Sequence, residues 1–390
     1  MADIQEQEAK TYIENAGPRQ SLSAAPKTLL ITTLETLLEA HPVPRQYNDQ
    51  LQKGVFSGYT SLAYLLLQIS RLHPDVTLNG LSLLHHAARY LEPSNDQPEL
   101  KEMNGGLHSE RLSVHALRAC ISKNDADVQN VLDDVPLFLS DEYPDELFYG
   151  RAGVLHLLRL VAAWVPDASS KIDDAATMIV DKILKSRVPG ASGYGGWRFL
   201  GNRYIGPAHG DIGIIVQVVR SKPSAAGELR DLLREIMSLQ QPNGNWPKSD
   251  TIAADQHKEL VQWCHGAPGM AMSLQAVAPF YPELKADIDQ AVDKAIALTW
   301  EKGLSRKEPS MCHGIFGNSL VLPLGDQRTH FLAQAEPAAI EGAKADDPDI
   351  FKTASYSAEI SPFLTYTTSA AWAWAVCEME EAPMIGYTDV

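Results

Sequence analysis

Sulfur is scarce in this chain. Four cysteines in 390 residues are too few for a disulfide framework. Positive charge is also in short supply: 33 Lys and Arg stand against 49 Asp and Glu, for a net charge of −16. That balance argues against nucleic acid or an anionic membrane as the main partner, while leaving room for small basic substrate pockets. No apolar run reaches the roughly 18 residues of a membrane span. The opening residues Met1 to Glu8 lack a charged segment followed by an apolar one, so no secretory signal is expected. Two of the cysteines, Cys120 and Cys377, lie inside apolar helical patterns and read as small core residues. A soluble protein of a reducing, cytoplasmic compartment is the expectation. The 45% hydrophobic content supplies ample core for two ordinary domains or one large closed architecture.

What is present is concentrated in two turns. Trp263-Cys264-His265-Gly266-Ala267-Pro268-Gly269 is followed, 48 residues on, by Cys312-His313-Gly314-Ile315-Phe316-Gly317. Thiolate and imidazole are the side chains zinc prefers. These residues supply either four ligands, a closed structural site, or three ligands with one position free for water or substrate. Two buried structural cysteines are the alternative. Whether the two turns meet in space decides among these.

The glycines answer that question. Gly-x-x-Gly turns begin at Gly150, Gly210, Gly266 and Gly314, and each opens an apolar segment. Weaker copies begin at Gly58, Ser109 and Thr368. Seven copies result, with steps of 51, 41, 60, 56, 48 and 54 residues. After each apolar helix comes an amphipathic one, as in Ser169 to Ser186, Ala225 to Leu239 and Pro282 to Trp300, with apolar residues three and four apart. A helix pair that cannot bury its own face must stack on its neighbours. Seven pairs closing on themselves give an all-α, seven-fold α/α toroid, a double ring whose inner helices are preceded by Gly-x-x-Gly turns. All the turns then share one rim, and the fifth and sixth are adjacent. Residues 1–45 are expected to pack on a single barrel formed by residues 46–390.

His209, one residue before Gly210, has the register of His265 and His313, and suits acid–base transfer near neutral pH. Asp145, Arg151 and Asp211 are candidate polar rim residues, or else helix caps and loop charges.

These motifs resemble the LanC-like proteins, eukaryotic relatives of bacterial lanthionine synthetase C. The resemblance rests on the two cysteine motifs, Ala208-His209-Gly210, and the stretch from Asp145 to Gly153, and it extends over the whole chain. It implies a zinc ion held by Cys264, Cys312 and His313 with its fourth position open, and a catalytic pair of His209 and Asp145. It further implies a thiol, glutathione in the eukaryotic branch, added to dehydroalanine or dehydrobutyrine in peptides or proteins that have lost a phosphate, kinases among them. Lys307 matches a lysine that helps bind glutathione. The seventh turn departs from the pattern: Thr367 and Thr368 stand for the usual Glu-Gly, and both glycines are gone. Lys352 and Lys10 are the nearest cations to two expected arginines. A zinc- and glutathione-binding adaptor with weakened catalysis is therefore a second reading. A toroidal carbohydrate-active enzyme, requiring a carboxylate pair at the rim, is a third.

Overall fold

A computed structural model describes residues 11–47, 51–93, 104–189, 195–250, 259–353 and 358–390. Seven helices form an inner ring: α2 (Tyr59–Leu72), α4 (Glu110–Ser122), α6 (Arg151–Trp164), α8 (Asp211–Ser221), α10 (Ala267–Val277), α12 (Ile315–Leu320) and α15 (Tyr366–Val376). Each packs on the next, and α15 packs on α2, which closes the ring. Burial explains the layer. In α8 every residue from Asp211 to Val219 is buried, whereas the outer helix α7 (Ser169–Lys185) buries one stripe, Ile172, Ala175, Ala176, Ile179, Val180 and Ile183. A helix apolar all round needs neighbours on every side; a striped one needs only a floor.

The outer ring comprises α3 (Leu83–Leu91), α5 (Asp125–Asp134), α7, α9 (Ala226–Ser238), α11 (Lys285–Lys302) and α13 (Asp326–Ala333), each against the inner helix it follows. Helix α14 (Pro337–Asp346) continues the connection toward α15. The outer partner of α15 comes from the other end of the sequence. It is α1 (Pro26–Ala40), which buries Leu30, Leu34 and Leu37. Among the described residues the only paired strands are β1 (Thr77–Leu78) and β2 (Leu81–Ser82), turned by Asn79 and Gly80 at positive φ.

The segment Met384–Val390 ties four inner helices together. The Asp389 carboxylate accepts from Tyr64 at 2.5 Å and from Gln68 at 2.9 Å, both on α2, and lies 3.6 Å from His156 on α6. The Tyr387 carbonyl accepts from Gln217 on α8, and its hydroxyl pairs with Ser273 on α10 at 2.7 Å.

The second glycine of each turn is a steric requirement. A Cβ at Gly153, Gly213, Gly269 or Gly317 would stand 2.1, 2.0, 1.8 or 1.9 Å from the carbonyl oxygen six residues earlier. The chain entering each helix thus lies directly against its first turn.

Candidate active site at the rim of glycine turns

Backbone hydrogen bonds lace several neighbouring turns together two residues before the caps of their inner helices. Phe56 N–H donates to the Leu107 carbonyl at 3.3 Å, Cys264 to Cys312 at 3.0 Å, and Cys312 to Phe363 at 2.9 Å. The two cysteine turns are therefore in direct contact. This lacing also corrects the seventh turn. Phe363 holds the register of the two cysteines, and the helix cap is Thr365, not Thr368. Thr368 stands where the second glycine would, and Leu364, rather than Thr367, occupies the position of the expected glutamate. The residues immediately before the seven caps are Ser57, His108, Tyr149, His209, His265, His313 and Leu364.

Cys264 and Cys312 are buried and hydrogen-bond to each other. Burial raises the Cys264 thiol, but the Cys312 hydrogen bond, the Lys307 ammonium and Gln262 together bring it below the usual thiol range. Cys312 is driven the other way, first by its bond to Cys264 and then by burial. Gln262 Nε2 donates to Cys264 Sγ at 2.8 Å, and Lys307 Nζ donates to Gln262 Oε1 at 2.6 Å. Lys307 thus reaches the thiol pair through one amide. His313 is buried on the same turn as Cys312, and burial followed by the Lys307 charge lowers its imidazole to about 4. Among the described residues no three His, Cys, Asp or Glu side chains are grouped closely enough to hold a metal ion. The structure brings two of the three expected ligands together, and His313 is the residue that follows Cys312 on the same turn.

His209 lies on the neighbouring fourth turn. Its Nδ1 is 2.6 Å from Glu146 Oε2, and Glu146 also accepts the backbone N–H groups of Phe148, at 3.0 Å, and Tyr149. A carboxylate held this way favours the Nδ1–H tautomer and leaves Nε2 to exchange protons. Phe199 stacks on the imidazole at 5.0 Å, and Phe148 meets it edge-on at 5.5 Å. The fourth and fifth turns touch here: His209 and His265 rings are 6.3 Å apart, each 5.9 Å from Tyr204.

The carboxylate that faces His209 is Glu146, not its neighbour Asp145. Asp145 is occupied by Arg151 and Ser186, both at 2.6 Å. Asp211 is likewise bound by Arg203 at 2.6 Å, and Arg203 continues to Glu235. The third and fourth turns thus carry the same ion pair with its signs exchanged, and these groups lock the turns. Lys352 pairs with Asp349, and Arg19 with Asp326 at 3.1 Å. Lys10 lies outside the described residues.

Besides Glu146, sequence reading passed over Gln262, Phe199 and His108. His108 shares the register of His209, a signal masked by the lost glycines of its turn. Its ring sits 4.1 Å from both Phe56 and Tyr149, and its Nε2 is buried without a hydrogen-bond partner.

The model of the family described as "Lanthionine synthetase C-like protein" matches residues 49–330. LanC-like protein GCL1 of Arabidopsis thaliana is 32% identical over 182 residues, which is 45% of this chain and 40% of that protein. Glutathione S-transferase LANCL1 of Danio rerio is 28% identical over 193 residues, 45% of each. These alignments span less than half of either relative. The solved structure of nisin cyclase has the same fold, with a TM-score of 0.56 at 13% identity, covering 90% of this chain and 95% of that one. The family model spans most of the chain, and the chain belongs to the lanthionine synthetase C-like family.

Proposed function

We propose that the protein is a zinc-dependent transferase that adds a thiol, glutathione foremost, to dehydroalanine or dehydrobutyrine in a peptide or protein. The observation that carries the reading is the meeting of two chemically different pairs at one rim: the Cys264–Cys312 thiols on the fifth and sixth turns, and the Glu146–His209 pair on the third and fourth. The name of the Danio rerio relative supports glutathione as the thiol.

Two buried thiols in contact, with an imidazole on the adjoining residue, fit zinc in donor chemistry. Cys264, Cys312 and His313 would hold the ion, which when bound lowers the pKa of an incoming thiol so that its thiolate is present near pH 7. The remaining steps belong to the chain's own residues. Lys307 supplies positive charge beside the thiol pair and suits the carboxylates of glutathione. The thiolate forms a bond to the acceptor's β-carbon, and the π-electrons move to give an enolate. His209 Nε2–H, in the protonated imidazole, delivers the proton to the α-carbon. Glu146 keeps the ring oriented through Nδ1. Phe199 and Phe148 exclude water from that transfer.

Metal analysis and mass spectrometry of a dehydroalanine peptide incubated with glutathione test the proposal. About one zinc per chain and a glutathione adduct are expected. Cys264→Ala removes both; Glu146→Gln retains the metal and slows addition by about 10²-fold, the scale of a general acid–base group. Zinc-loaded protein that forms no adduct overturns the reading in favour of a zinc- and thiol-binding adaptor, which Leu364 at the seventh turn favours. The carbohydrate reading loses its basis: Asp145 and Asp211 are locked by arginines and are not a free carboxylate pair.

A further inference from the structure

The seven positions before the caps divide unevenly. Five carry a ring with a polar atom, from His108 round to His313, while Ser57 and Leu364 do not. Those two residues line a single cavity of about 260 Å³ between the first and seventh turns. Its apolar surface comes from Leu51, Phe56, Ile360 and Leu364, with Lys53 and Glu359 of opposite sign at the exposed edge. That volume accommodates an aliphatic side chain.

Two further observations bear on what enters. Gln52, only 5% exposed, lines the cavity; its Oε1 accepts the Tyr59 N–H at 2.8 Å, but its Nε2 is buried with no hydrogen-bond partner. With so little of it accessible, Gln52 shapes the wall of the cavity and offers its occupant no donor. The cavity also adjoins both halves of the candidate active site. The Phe56 ring lies 4.9 Å from Phe148, whose ring lies 5.5 Å from His209. On the other side, the residue before Leu364 accepts the Cys312 N–H.

We infer that this cavity is a specificity subsite for the acceptor: it takes an uncharged aliphatic side chain of the peptide. The inference rests on the proposed reaction for its direction of approach. The two ring contacts from Phe56 to His209 correspond to about three residues of extended chain, at roughly 3.3–3.6 Å each. The preferred residue therefore lies two to four positions from the dehydrated one. A carboxylate there would lose its water against Leu364 and Ile360 with only exposed Lys53 in compensation.

Dehydroalanine peptides carrying Leu, Ala or Glu at each position within four of the reacting residue give the test, with kcat/KM measured against glutathione. Fluorescence anisotropy of the same labelled peptides, with Ala replacing dehydroalanine, measures binding apart from turnover. At one position Leu should exceed Ala by about 10-fold, and Glu should fall below both, the discrimination expected of one apolar pocket. Leu364→Glu should abolish the preference and Leu364→Met keep it. Leu51→Glu, at an exposed edge residue that folding tolerates, should weaken it as well. Turnover without flanking preference in the wild type overturns the subsite and leaves the reaction standing. A binding preference without turnover supports the subsite and counts against the reaction. Equal Leu-to-Glu ratios in the wild type and Leu51→Glu also overturn the subsite.

Discussion

A buried imidazole records its surroundings in the pH dependence of stability. Burial, aided by the charges of Lys53 and His209, holds the His108 ring at about 3, well below the 6.5 of an exposed histidine. The folded ring stays neutral while the unfolded one takes up a proton as pH falls through 6.5. Its contribution is therefore present above that pH and is lost progressively toward pH 3. By pH 5 the loss reaches roughly 2 kcal/mol. His108→Phe suits the stack between Phe56 and Tyr149 and removes the unpaired Nε2, so the variant should lose about 2 kcal/mol less than the wild type between pH 7 and pH 5. Urea midpoints at the two pH values check this, and the difference between proteins cancels other groups, including Asp211, which burial raises to about 6. Equal pH slopes would show that His108 is hydrated in the folded protein. At this scale the sequence was legible where a residue sat in a glycine-marked register: Cys264, Cys312, His313 and His209 all lie at the rim. It was not legible where two like residues compete. Asp145 and Glu146 are adjacent carboxylates, and the one that faces His209 is decided by Arg151, six residues from Asp145, which takes that aspartate for itself.

The helical elements owe their junctions to the second glycine. A methyl group at Gly213 would lie 2.0 Å from the Pro207 carbonyl, a backbone atom that cannot rotate away. Gly213→Ala should therefore cost more than about 3 kcal/mol or prevent folding, the range of severe core overpacking. Gly227 is the control within the next helix of the same repeat. It is exposed in α9 with nothing near its added Cβ, so Gly227→Ala should stabilise by about 0.5–1 kcal/mol through helix propensity. Thermal unfolding followed by circular dichroism separates the two; similar midpoints would mean that the turn relaxes freely. The same requirement explains why the sequence pattern sets the seventh element three residues out of register. Helix α15 is buried from Thr368 to Val376 and has no polar face to mark its phase. With its glycines replaced by Thr365 and Thr368, no local signal identified the start; the bond from Cys312 to Phe363 does.

Closure of the whole molecule depends on two residue groups remote in sequence, and no local periodicity reveals that. Repeat spacing implied seven pairs, yet the seventh inner helix takes its outer partner from α1, more than 300 positions earlier. An open array of helix pairs unfolds by segments, because each pair touches only its neighbours; a closed ring removes the free ends from which such fraying begins. Leu30, Leu34 and Leu37 of α1 are as buried as the stripe of α7. If α1 is an integral member of the ring, Leu34→Ala should cost about 2–5 kcal/mol, and Ile179→Ala in α7 a similar amount, the usual penalty for a large core truncation. Both variants should keep a single transition, with far-ultraviolet and near-ultraviolet circular dichroism coincident, since α15 carries Trp372 and Trp374 into the same core. A Leu34→Ala protein whose far-ultraviolet signal falls before its tryptophan signal would mean that α1 detaches by itself. The ring would then close through its inner helices alone, with α15 held to α2 and α12 and, through Trp372, to the Pro383 carbonyl.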